Sequence, residues 1–174
     1  AKVLPEADIV FDKFHLVRLL NDAVDRVRKA EHRQLREQGD ETLSGSKYLW
    51  LKSPQKHSQK QWSSFKTLLG INLKTSRAWL LARTFEGLWQ CDDQEAARVF
   101  FKQWLARARR SRLEPLKSAA QTLERHVEGI MTYFKHRITN ASAEGLNSLI
   151  QSLKTAARGF RNFANYRAAI LFHL

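Results

Sequence analysis

Between Glu128 and the C-terminus, Glu144 is the only acidic side chain in a stretch holding six lysines and arginines; it stands in the run ITNASAEGLNSLIQ. The pattern predicts a helix that opens near Asn140 or Ser142 and stops at Gly159. At 100° per residue, Leu146, Leu149, Ile150, Leu153 and Ala157 share one face, and Glu144 lies almost opposite, beside Ser148, Gln151 and Thr155. A carboxylate placed there has two uses. Its charge at a helix N-terminus is favourable by about 0.3–1 kcal/mol, or its hard oxygens ligate a divalent cation. Spacing alone leaves both open.

The second chemistry is cationic. Thirty Lys and Arg against seventeen Asp and Glu give a formal charge of +13, which points to a polyanion, most often nucleic acid. LARARRSRLEPLK concentrates Arg107, Arg109, Arg110 and Arg112. From Thr42 to Phe85 there is no acid, while Lys47, Lys52, Lys56, Lys60, Lys66, Lys74, Arg77 and Arg83 fall there. Such clusters neutralise phosphates with little sequence preference; a solvated face is the plainer alternative for any one of them. All five tryptophans lie between residues 50 and 104. Most are expected in the core, with Trp50 and Trp62, flanked by lysines and polar residues, the better placed to stack on unpaired bases.

The elements that must position these groups are mostly helical. Seven glycines and three prolines in 174 residues favour long helices, and 43% hydrophobic residues suffice for a core. PEADIVFD reads as a short buried strand ending at Asp12. Helices are expected from Lys13 to about Gln38, Gln59 to Leu69, Ser76 to about Gln90, a segment capped by Asp92, a long one from near Leu116 to His136, and a last one from about Asn162. The period places Val17, Leu20, Val24 and Val27 inside and Asp25, Arg26 and Arg28 outside; KYLWLK is ambiguous between strand and helical turn. Cys91 is alone, so neither a disulfide framework nor a thiolate metal cluster is expected, as suits a reducing cytoplasm. No apolar run approaches a membrane span, and no membrane partner is expected. The start, AKVLPEAD, reads as the continuation of something longer.

IVFDKFH, YLWLK and ITNASAEGLNSLIQSLKTAARGFRNFANYR, in that order, resemble the C-terminal half of bacterial insertion-sequence transposases of the ISL3 type. The resemblance implies a DDE enzyme on a ribonuclease H-like fold, in which two aspartates and a glutamate hold Mg²⁺ or Mn²⁺ for attack on a phosphodiester. Matching AEGLN makes Glu144 the third catalytic carboxylate and a metal ligand; the two aspartates fall upstream of residue 1. Asp12 and His15 match the D-x-F-H element, implying a supporting role at the strand–helix junction, with metal ligation by Asp12 the lesser alternative. The expected architecture is mainly α: residues 1–15 a strand remnant of the ribonuclease H-like domain, 16–137 a helical insertion, and 138–174 C-terminal helices of the catalytic domain. Implied partners are transposon-end DNA, target DNA and a second transposase protomer. Arg158, Arg161 and Lys154 are expected at phosphates, with helix-end charge the alternative for Arg158. One carboxylate rarely holds two ions, so the chain alone is expected to bind DNA without cutting it. The rival is a non-catalytic basic helical module that binds DNA or protein.

Overall fold

A computed structural model describes residues 11–136, 141–157, 159–160 and 162–173. Among the described residues the secondary structure is helical, with no strand. The chain divides into two compact units, Ala1–Arg137 and Ile138–Leu174.

The larger unit is organised on α1 (Lys13–Glu37). Asp12 caps it, its carboxylate accepting from Phe14 N–H at 2.9 Å. Leu20, Val24 and Val27 are buried as expected, with Ala23 filling the same face, but the stripe begins at Leu16, and Val17, expected inside, is half-buried. Gly39, at φ +76°, turns the chain away; such a backbone is costly for any residue with a Cβ. Arg28, expected outside, is buried at 7% exposure. Asp25 on the same helix neutralises it at 2.8 Å, which makes that burial tolerable.

Helices α2 (Lys47–Leu51), α3 (Gln59–Gly70) and α4 (Lys74–Thr84) follow. KYLWLK is thus a helical turn. Ser58 and Gln61 close a reciprocal capping box on α3. Nothing local caps α4, whose N-cap position is Leu73. Glu31 does so from α1, accepting from Lys74 N–H (2.7 Å), Thr75 N–H (2.7 Å) and the Thr75 hydroxyl (2.6 Å). The α1–α4 pairing is therefore secured by a buried carboxylate at a helix N-terminus. The expected single helix to Gln90 instead tightens at Phe85 into a 3₁₀ segment, Phe85–Gln90, and Leu80 on α4 is 51% exposed.

Helix α5 (Gln94–Arg110) is capped by Asp93, one residue later than expected, through a 2.8 Å bond from Ala96 N–H. The single helix expected from Leu116 to His136 is two, α6 (Glu114–Arg125) and α7 (Val127–His136). His126, at φ −109° and ψ 15°, interrupts them, and its ring packs 4.9 Å from that of Phe11. Helices α4 and α6 pack on α1, and α5 packs on α6 and α7. Trp50, Phe65, Phe85 and Trp104 are almost wholly buried, with Phe65 edge-on to Trp50 and Trp79. Trp50 is thereby removed from the aromatics open to a base.

The smaller unit holds α8 (Ala141–Ala156) and α9 (Phe163–His173). Gly159, at φ +93°, donates its N–H to Lys154 O at 2.9 Å and closes α8. Asn162 caps α9 by accepting from Ala164 N–H at 2.8 Å. Leu149, on the expected apolar face of α8, is 41% exposed.

Candidate nucleic-acid interface

The D-x-F-H element forms a junction in the larger unit. The expected strand lies outside the described residues except for Phe11 and Asp12, which are not in a strand; Phe11 N–H donates to Gly129 O at 3.3 Å. Asp12 faces His15 as well as the helix end, with Nδ1 of His15 at 3.1 Å from its other oxygen. Lys13 places its ammonium 4.1 Å from the Tyr133 ring centroid and 4.8 Å from that of Trp89. Composition and period gave no cue to that aromatic cage. The junction is thus tied to α7 by backbone and by Lys13, and to the break between α6 and α7 by Phe11 on His126, while His15 stays open with 71% of its side chain exposed.

The arginine cluster occupies the last turn of α5 and the turn beyond it. Arg107, Arg109, Arg110 and Arg112 are all exposed. They are not equivalent. Arg109 is ion-paired with Glu124 of α6 at 2.6 Å, so a phosphate must compete for it. Nearby, Glu114 takes Lys117 at 2.6 Å. Arg112 has φ +58°, the only described residue other than glycine in the left-handed region. A backbone that glycine would adopt more cheaply, held by an exposed cation, marks a position where the side chain matters. Arg107 joins Arg83, Phe100 and Trp104 around a cleft of about 320 Å³.

Of the residues singled out in the C-terminal motif, Lys154 is exposed in the last turn of α8. Glu144 lies in the first turns of α8; its side chain, and Arg158 and Arg161, lie outside the described residues.

Several of the described acids have other work. Asp25 meets Arg28 and Lys29; burial pushes its carboxyl up, but bonds from Lys29 and Arg28 together hold it below the usual aspartate range. Glu128 accepts both guanidinium nitrogens of Arg98, at 2.9 and 2.6 Å, and that bond holds its carboxyl low. Asp40 is held low by the side-chain and backbone donors of Thr42. No group of three or more His, Cys, Asp or Glu side chains converges among the described residues. The described donors therefore do not by themselves form a divalent-ion site. No helix among the described residues is long and apolar enough to cross a membrane.

Among the described residues the surface is helical and strongly cationic, a class of surface that suits a polyanion. The comparison with known proteins sharpens the class: residues 1–170 match the DDE transposase family of the ISL3 type, and the chain belongs to it. It is also 28% identical over 172 residues to the transposase for insertion sequence element IS1001 of Bordetella parapertussis. That match covers 95% of this chain but 42% of the relative, so the chain spans less than half of that protein's length. No solved structure gives a significant match.

Proposed function

We propose that this chain is the C-terminal portion of a DDE DNA transposase, containing a helical DNA-gripping insertion and the helix that carries the glutamate of the active site. The observation that carries this is the family match along residues 1–170, with AEGLN inside it on α8. In this reading residues 16–137 are the insertion and 138–174 belong to the catalytic domain, with 1–15 leading into the insertion from a ribonuclease H-like sheet. Glu144 supplies one carboxylate of a site for Mg²⁺ or Mn²⁺, and two aspartates outside this chain complete it. Hard oxygen ligands are what such ions require, and one carboxylate is too few for two of them. Arg107, Arg110 and Arg112, which meet no carboxylate among the described residues, hold phosphates, and Arg109 does so after leaving Glu124. Lys154, Arg158 and Arg161 extend the contact beside the glutamate. Asp12 and His15 support the start of α1, and a second protomer joins on the DNA.

The test uses this chain and a labelled duplex carrying the end of its insertion sequence, with Mg²⁺ or Mn²⁺ added. The expected result is a shifted complex and no nicking. Nicking by the chain alone that disappears in Glu144→Gln would overturn the claim that the site is completed elsewhere. In the longer transposase the same substitution is expected to leave end binding intact and reduce strand cleavage to background. Cleavage that survives it removes Glu144 from the site.

A further inference from the structure

The cleft that Arg107 shares lies where the end of α4 and the 3₁₀ segment Phe85–Gln90 meet α5. At about 320 Å³ it stands at the small end of the range for ligand sites, about 300–1,000 Å³. Its aromatic wall is Phe100, half-buried, with Trp104 deeper in the core. The Phe100 ring reaches across to Gly87, where an added Cβ would stand 3.1 Å from its outer carbons. The polar groups on the walls divide in two. Arg83 is engaged by Glu86 at 2.6 Å and by Asn21, the Thr84 hydroxyl donates to Leu81 O at 2.8 Å, and the Trp104 indole N–H donates to the same carbonyl at 2.9 Å. Gln103 and Arg107 are exposed and meet no hydrogen-bond or ion-pair partner among the described residues. No acidic residue lines the cleft.

The helical period carries the site onward. Phe100, Gln103, Arg107 and Arg110 follow one another at spacings of three, four and three, so they form one stripe of α5, about 15 Å long. The stripe starts at the aromatic wall, passes an amide with no partner and ends at two arginines that meet no carboxylate among the described residues. A strand whose phosphates lie on Arg110 and Arg107 thereby brings its next nucleotide to Gln103 and Phe100. A base inside a duplex has both faces covered by its neighbours and cannot enter a cleft of this size; a base out of the stack can. We propose that the cleft receives one unpaired DNA base, laid on Phe100, with the Gln103 amide at its hydrogen-bonding edge and Arg107 at its phosphate. The proposal rests on the transposase reading for the choice of DNA. It adds that the chain tells a locally opened duplex from an intact one.

Fluorescence anisotropy with the whole chain and three labelled duplexes of one sequence tests this: one fully paired, one with a single-nucleotide bulge, and one whose bulged nucleotide is abasic. The base bulge is expected to bind between about 5-fold and about 100-fold more tightly than the other two, the range for one base–aromatic stack. Phe100→Ala and Phe100→Leu should both abolish that preference, and Phe100→Tyr should keep it. Leucine still fills the wall, so its effect reads the aromatic face rather than packing, and far-ultraviolet circular dichroism checks that each variant is folded. Arg107→Ala should instead weaken all three duplexes alike. Equal binding of the base and abasic bulges assigns any preference to the bend and overturns the proposal. So does a preference that survives in the folded Phe100→Leu variant. If the paired duplex binds and the base bulge binds no better, this proposal fails alone; if none of the three binds, the DNA-binding reading fails with it.

Discussion

Glu31 shows how much one side chain can decide. It occupies the next helical position after Leu20, Val24 and Val27 on the buried stripe of α1, where a carboxylate is out of place. The N–H groups of Lys74 and Thr75 account for it. Glu31→Ala is expected to cost about 3 kcal/mol, since it leaves buried donors without an acceptor, whereas Glu31→Gln, which keeps an oxygen there, should cost less. Urea denaturation of the two variants checks this; equal losses would mean that packing rather than the helix-end carboxylate matters. Cys91 poses the opposite case. Burial, and then the charges of Asp92 and Asp93, push its thiol up, so little thiolate is present at neutral pH. A disulfide reagent should label it more slowly than a free cysteine peptide at neutral pH, and Asp92→Asn should speed the reaction.

Among the elements, the end of α5 carries the proposed duplex contacts. Ser111 closes the helix and Arg112 takes the left-handed turn that glycine adopts at the end of α1. Arg112→Gly is expected to raise stability by about 0.5–1 kcal/mol by removing that strain, net of the added freedom of the unfolded chain. The same variant should bind duplex DNA more weakly. Gly39→Ala, at φ +76°, should do the reverse to stability, lowering it by about 1 kcal/mol. Thermal unfolding and duplex anisotropy on the two variants give four results. A loss of stability in Arg112→Gly would remove the argument that this turn is kept for its cation.

Over the whole molecule, a formal charge of +13 predicts that the proposed association with DNA is driven by counterion release. With about six phosphates neutralised, affinity for duplex should fall by about 1000-fold between roughly 50 and 200 mM salt. Titrating binding against salt measures the number of contacts, and an affinity insensitive to salt would set the cationic surface aside. Acidification acts on a different property. The carboxyl of Asp25 is held low in the folded chain, so the stability it contributes is present above the unfolded aspartate range. That contribution is lost as pH falls through its lower folded value. Asp25→Asn should therefore lie closest to wild type in unfolding midpoint at about pH 3 and furthest from it at about pH 7.

Much of this was written locally, and some was not. The 3.6-residue period from Leu20 to Val27, the glycine stops at Gly39 and Gly159, and the Ser58–Gln61 capping box depend on neighbours within a few residues. The helical class, the basic balance and the transposase motifs were therefore readable from residue order. The aromatics and charges were not, because burial depends on partners distant in sequence. Trp50 and Tyr48 stand two residues apart in a lysine-flanked turn, and only the packing of Phe65 against Trp50 sends one inward and leaves the other for solvent. Likewise, that Arg109 is engaged and Arg110 is not follows from Glu124 on another helix. Residue order determined which groups are present and the local elements that carry them. Tertiary structure alone decided which faces stay open, because an open face is the one left without a neighbour when the helices pack.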